Sequence, residues 1–279
     1  MATRPSAGTA LRVLQERALV LVGVYVSSPA LSFVRRGEKR VRGEGFDMTI
    51  PAGAAVALPA GLSGEVTNIA DAAGVYEALT LAPDPALFET SQAGRTIRAP
   101  VHLGMLEPGF ADALVRAGEA IFEPARTPGP VAAARMGEAI AWLSARGVRF
   151  ERPRPSSAAE RARELLSADP GRPWSGPVVA AALAMSEATL RRRLAAEETS
   201  LSALLVEVRM ATALVMLQAS DRPVAEIALD VGYGSPSRFA ARFRHRYGHP
   251  PHAVRDGDPD FERRGTENDR QGSASPSPA

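Results

Sequence analysis

The chain repeats one short pattern twice, and that repeat limits what its C-terminal half can become. Ser186 is followed four and eight positions on by Leu190 and Leu194, and Ser235 by Phe239 and Phe243. Ala180, Leu183 and Met185 stand ahead of the first serine, and Ala228, Val231 and Tyr233 ahead of the second. Apolar residues four apart share one face of a helix. A serine just before them caps that helix by accepting a hydrogen bond from a free backbone N–H. Pro236 suits a first helical position, where its missing N–H costs nothing, and Gly232-Tyr233-Gly234 breaks the segment before it. Each copy therefore reads as a short helix, a turn and a capped basic helix with two inward anchors, the geometry of a helix-turn-helix, with the first turn one residue shorter. One basic amphipathic helix is ordinarily just a solvated surface. Two with the same cap and anchors are not a coincidence of composition.

Between the copies, Leu201, Leu204, Leu205, Val208, Thr212 and Val215 fit one helix of about five turns. Such a spacer can hold two recognition helices about one DNA turn, roughly 34 Å, apart, so one chain reads two neighbouring major-groove segments and its site need not be palindromic. Composition adds little. The net charge is only +2, Lys39 is the sole lysine, and the abundance of arginine and alanine is what GC-rich coding gives. The absence of cysteine excludes disulfides, thiolate metal sites and cysteine nucleophiles.

The N-terminal half has a different texture. Between residues 19 and 83, short apolar runs are cut by glycine and proline, as in a β-sandwich or small barrel. Residues 18–26, behind Arg12 and Arg17, loosely imitate a signal peptide but are too short to span a bilayer. They read as a buried strand, in a chain expected in the cytoplasm with no membrane partner. Arg35, Arg36, Lys39, Arg40 and Arg42 read as a solvated hairpin. His102 is the only histidine of this half and no serine, histidine and carboxylate group together, so neither an enzyme nor a metal or cofactor is expected. A small-molecule pocket and a pocketless interaction surface both remain open. Phe110, Leu114, Ala117 and Ile121 share one helical face, as do Met136, Ile140, Leu143 and Gly147; the two helices either dimerise, the preferred reading, or cap the β core. The expected divisions are a sensing or dimerising domain over 1–150 with a loop at 123–130, a charged, proline-bearing linker over 151–157, a helical domain over 158–256 and a disordered tail over 257–279. Within the third, Ala162, Leu165 and Leu166 face inward on a first helix and 170–177, with Trp174, form a short buried connection. His245, His249 and His252 lie around helix-breaking Gly248 and Pro250-Pro251, and no metal is expected there.

Several runs carry a family resemblance. A-x-x-L-x-M-S-x-x-x-L-x-x-x-L from Ala180, R-M-x-x-A-x-x-x-L from Arg209 to Leu217, I-A-x-x-V-G-Y from Ile227 to Tyr233, F-x-x-x-F from Phe239, and G-H-P-P-H-A-V-R from Gly248 to Arg255 resemble the AraC/XylS transcription regulators over about one hundred residues. The resemblance implies an α+β protein: an N-terminal cupin-like barrel or sandwich with dimerisation helices, and an all-α domain of seven helices with two helix-turn-helix motifs joined by a long helix. It places base-contacting positions at Ala188, Arg191 and Arg192, and at Pro236, Ser237, Arg238 and Ala241; Ser186, Thr189, Arg193, Ser235 and Arg242 complete the candidate DNA-binding set. Ala188 and Ala241 offer only a methyl, as to thymine. Arg191 and Arg192 point away from the core, so at least one should reach base edges, whereas Arg193 meets phosphate or pairs with Glu197. Arg209, in the connecting helix, reads as structural. The implied partners are promoter DNA, RNA polymerase, a small-molecule effector and a second copy of the chain. The alternative is a DNA-binding module without an effector, controlled by dimerisation or abundance. Two rivals fare worse, because a cupin-type catalyst would need metal ligands and an alkyl-transfer repair fusion would need a cysteine.

Overall fold

The computed structural model describes residues 1–16, 18–90, 94–151 and 157–256. Most of the expected linker and the whole 257–279 tail lie outside these residues.

The N-terminal region is β-rich. Its strands are β1 (Ala2–Arg4), β2 (Gly8–Gln15), β3 (Leu19–Tyr25), β4 (Ala30–Arg36), β5 (Glu38–Gly43), β6 (Phe46–Pro51), β7 (Ala54–Leu58), β8 (Ser63–Ile69), β9 (Tyr76–Pro83), β10 (Arg95–Thr96) and β11 (Val101–Met105). They are followed by helices α1 (Pro108–Phe122) and α2 (Gly129–Ala145) and strand β12 (Val148–Arg149). A six-stranded antiparallel sheet, ordered β1-β2-β9-β4-β7-β11, faces a four-stranded one, ordered β3-β8-β5-β6. Val13, Val34, Val41, Ile50, Val56, Tyr76 and Ala78 fill the space between them.

The other face of the larger sheet is covered by α1 and α2, where Leu31, Phe33, Leu79 and Leu81 meet Phe110, Leu114, Ile121, Met136, Ile140 and Leu143. With both faces buried, its central strands need apolar residues continuously rather than alternately, which explains runs such as Ala54-Ala55-Val56-Ala57. The stripes that the sequence offered for dimerisation are consumed by the chain's own sheet, so they are corrected to capping faces. β1 and β2 were missed altogether. In β2, exposed Arg12 interrupts the apolar run.

The charge run on β5 also needs correction. Arg40 and Arg42 point to solvent, but Lys39 shares the inward face with Val41 and is buried. It lies 5.5 Å above the Tyr76 ring and donates to Asn68 Oδ1 at 2.8 Å. Asn68 Nδ2 donates to Gln15 Oε1 at 2.6 Å, and Gln15 Nε2 to the carbonyl of Val254 at 3.0 Å. An ammonium can only donate and a carbonyl can only accept, so both amide orientations in this chain are fixed by its ends.

The C-terminal region is helical: α3 (Ala158–Ala168), α4 (Gly176–Ala182), α5 (Glu187–Ala196), α6 (Leu201–Ala219), α7 (Val224–Asp230), α8 (Pro236–Tyr247) and α9 (Ala253–Asp256). The connection expected to be buried over 170–177 runs half-exposed over the surface, and its last two residues belong to α4; Trp174 Nε1 donates to Asp169 O, and the Arg172 guanidinium stacks on its ring.

α6 has no single apolar stripe. Its first half puts Leu204 and Val208 into a core with Ala162, Leu166, Val179, Leu190 and Leu194. Its second half puts Met210, Ala213, Leu214 and Leu217 into another with Ile227, Val231, Phe239, Phe243 and Tyr247. Thr212 and Val215, expected to face inward, are only partly buried because the second core lies on a different side. A helix that serves two cores must be apolar nearly all round. That is why its Leu201–Gln218 segment is long and apolar enough to pass for a membrane span.

Burial of Lys39 lowers its pKa from the ordinary 10.5 to about 8. Between those values the unfolded chain holds a proton that the folded chain has lost, so folding becomes more favourable as pH rises through this window. Compared with Lys39→Met, the wild-type chain should gain up to roughly 3 kcal/mol between pH 8 and 10.5. Urea denaturation at a series of pH values measures it, and a constant difference between the two proteins would contradict it.

Candidate nucleic-acid interface

The two repeats are alike at the level of the backbone. After α4, Ala184 N donates to Ala181 O and Met185 N to Ala180 O; after α7, Gly232 N donates to Leu229 O and Tyr233 N to Ala228 O. The turning residue is left-handed in both, Ala184 at φ 54° and Gly232 at φ 82°. The second turn's extra residue is Gly234. Ser186 Oγ accepts from Thr189 N at 3.2 Å and Ser235 Oγ from Arg238 N at 3.4 Å, so both serines are committed to helix caps.

Beneath α5 and α8, Leu190, Leu194, Phe239 and Phe243 are buried, as their spacing predicts. In the second unit Tyr233, Phe239, Phe243 and Tyr247 form a ladder of rings with successive centroids 5.6, 5.6 and 4.7 Å apart. These anchors fix which side of each helix faces out. Ala188, Arg191, Arg192 and Arg193 are exposed on α5, and Pro236, Ser237, Arg238, Ala241 and Arg242 on α8; Thr189 is half-buried, its hydroxyl 2.9 Å from that of Ser186.

On α8 the outward side lines a groove of about 790 Å³ with Tyr233, Ser235, Arg238, Ala241, Arg242 and His245. Among the described residues, no carboxylate lines it. Tyr233 and His245 were not among the candidate DNA-contacting residues, although His245 lies seven positions after Arg238 and four after Ala241 and so shares their face.

Arginines elsewhere behave differently. Arg12 and Arg35 both contact Glu77, Arg36 contacts Asp71, Arg40 Glu38, and Arg42 Asp47. Among the described residues, no carboxylate forms an ion pair with Arg191, Arg192, Arg193, Arg238 or Arg242. Glu197, the partner proposed for Arg193, is engaged elsewhere: its two oxygens accept from Ala158 N and Ala159 N, both at 2.9 Å, at the start of α3. Desolvation pushes its pKa up, but these bonds, with Ser157 and Arg163, outweigh that and hold the carboxyl below its ordinary value. That leaves Arg193 available to a phosphate.

Arg209 is the tie between the units. From the middle of α6, its Nε donates to Pro170 O at 2.9 Å, Nη1 to Gly232 O at 3.1 Å and Nη2 to Arg172 O at 3.1 Å. A Cβ on Gly232 would lie 2.5 Å from Arg209 Nη2 and 2.9 Å from Gly171 O. Glycine there answers two demands, the left-handed turn and the approach of the guanidinium.

A family model described as a helix-turn-helix domain matches residues 179–257, which contain both units. The transcriptional regulator SirC of Salmonella typhimurium is 35% identical over 88 residues, covering 32% of this chain and 30% of SirC. The dual transcriptional regulator Rns of Escherichia coli is 32% identical over 92 residues, 33% of this chain and 35% of Rns. The matches thus span about a third of each relative's length. Across the whole fold, unsaturated-fatty-acid-bound ToxT from Vibrio cholerae aligns with a TM-score of 0.62 over 90% of this chain and 95% of that one, at 12% identity, a likeness of fold.

Gly232→Ala and Arg209→Lys should each destabilise the chain by about 1–3 kcal/mol, the first through strain and the displaced guanidinium, the second by leaving carbonyls without donors. Because the groups touch, the double variant should lose less than the sum of the single losses. Thermal or urea unfolding of the three variants checks this, and strict additivity would contradict the contact.

Proposed function

We propose that this chain, whose C-terminal region is a helix-turn-helix domain of the AraC type, is a sequence-specific DNA-binding regulator of transcription. The observation that carries the reading is the pair of capped, outward-facing helices whose arginines have no carboxylate partner among the described residues. An unpaired guanidinium on an exposed helix face suits phosphate and the O6/N7 edge of guanine. α5 offers Arg191 and Arg192 to base edges and Arg193 to phosphate; α8 offers Ser237 and Arg238 to base edges and Arg242 to phosphate, with Ala188, Ala241 and Pro236 supplying apolar contact. Ser186, Thr189 and Ser235 bring the N-terminal turns close to the backbone, where helix N-termini favour anions.

The β-rich region, residues 1–150, is the sensing or dimerising part, built on a six-stranded and a four-stranded sheet packed face to face. ToxT has been solved with an unsaturated fatty acid bound, and a small-molecule effector for this chain rests on that likeness. A second copy would meet it through outward faces of α1 and α2, whose inward stripes are occupied. Control of transcription would act through RNA polymerase at the promoter, in the cytoplasm.

Arg238→Ala should weaken binding to a duplex selected by the wild-type chain from a randomised library by about 1–3 kcal/mol, and binding to a random duplex far less. Wild-type affinity should fall steeply with salt as neutralised phosphates release counterions. Fluorescence anisotropy titrations measure both. Equal losses on the two duplexes would make Arg238 a phosphate contact, and a salt-independent affinity would remove the DNA reading.

A further inference from the structure

The two helix-turn-helix units differ in where their cores come from. The core of the first is assembled from C-terminal helices alone: Ala162, Leu166, Val179, Leu190, Leu194, Leu204 and Val208. The core of the second includes Leu19 and Leu21 of β3, at most 1% exposed, packed with Met210, Leu214, Leu217, Phe243 and Tyr247. Leu19 and Leu21 are two apart and so point from one side of their strand.

Three further contacts fix the same arrangement. β3 changes register against β8 between Leu21 and Val24, and Gly23, at φ 70°, brings its backbone to the last turns of α8, where a Cβ would sit 3.5 Å from Arg246 Nε. Gln15 donates to Val254 O on α9, at the end of the directed chain that begins on Lys39. At the rim of the first unit, Tyr25 lies under the guanidinium of Arg163 on α3, which is itself paired with Glu207 at 2.7 Å.

From this asymmetry we propose that β3 is a positioning element for the second recognition helix: Leu19 and Leu21 seat α8, so that reading of the second half-site requires the β-rich region and reading of the first does not. The inference rests on the DNA-binding function proposed above. Phe239, Phe243 and Tyr247 determine which side of α8 faces outward, and part of their packing comes from β3. Removing that apolar support leaves α8 attached but free to shift. A base-reading side chain tolerates a shift of only a fraction of an ångström before its paired hydrogen bonds fail.

The test uses the full chain and two duplexes: one selected by the wild-type chain, and one with a half-site scrambled, the second half-site being that whose scrambling no longer matters to Arg238→Ala. Wild-type affinity should fall on the order of tenfold or more when the second half-site is scrambled. Leu21→Ser should bind the intact duplex no better than the scrambled one, and should match the wild type on the scrambled one. Leu21→Met, which keeps the apolar volume, should discriminate as the wild type does. The proposal is overturned if Leu21→Ser still discriminates fully, and also if it binds neither duplex, because the strand then supports both units. Tighter binding to both would overturn it too, since the strand would then restrain the helices rather than seat one. Failure of the wild-type chain to select any sequence would count against the DNA-binding reading itself.

Discussion

Everything in the C-terminal region depends on α6 being packed from two sides. A helix of 19 residues is roughly 28 Å long, and each half of this one is the floor of a separate core. Both helix-turn-helix units are seated on the one helix they share, and close packing on each half fixes where each unit sits along it. Arg209 reinforces the link near the helix midpoint by holding the 170–172 connection and the Gly232 turn with one rigid guanidinium. The separation of α5 and α8 is thereby a property of the fold rather than of a linker. A stiff spacer keeps both heads in step with major-groove segments that recur every turn.

The distribution of charge follows from the same economy of surfaces. The chain is nearly neutral in total, so it has no general attraction for DNA to rely on. What it has is selective pairing. Around the β-rich region arginines are matched with Glu77, Asp71, Glu38 and Asp47, whereas among the described residues the outward arginines of α5 and α8 have no such partners. Even Glu197, one turn beyond Arg193, is drawn away to the start of α3. A carboxylate beside those arginines would compete with phosphate and repel it.

The parts of this arrangement that were legible in the sequence are those set by local spacing. Caps at Ser186 and Ser235, anchors at plus four and plus eight, and the length of α6 need only the helical repeat. The burial of α6's second half was misjudged because an almost uniformly apolar helix does not announce which side meets which core; Met210, Ala213, Leu214 and Leu217 took the places expected for Thr212 and Val215. Strands β1 and β2 were invisible for another reason: they pair with each other, but β2 joins the sheet only through β9, more than sixty residues away, and exposed Arg12 breaks its apolar run. Lys39 lay within a run of arginines, and its burial could have been suspected only from the alternation that puts it on the same side as Val41. Nothing local indicated that Leu19 and Leu21 would complete a helical core that begins about 190 residues downstream.

The central claim is that one chain presents two reading heads at a fixed separation. Hydroxyl-radical footprinting of the full-length protein on a duplex that it selects tests this most directly. The account predicts two protected segments on one face of the DNA, centred about 10 base pairs apart, both present at the lowest protein concentration that protects either. A single protected segment, or two that fill independently at different concentrations, would contradict it.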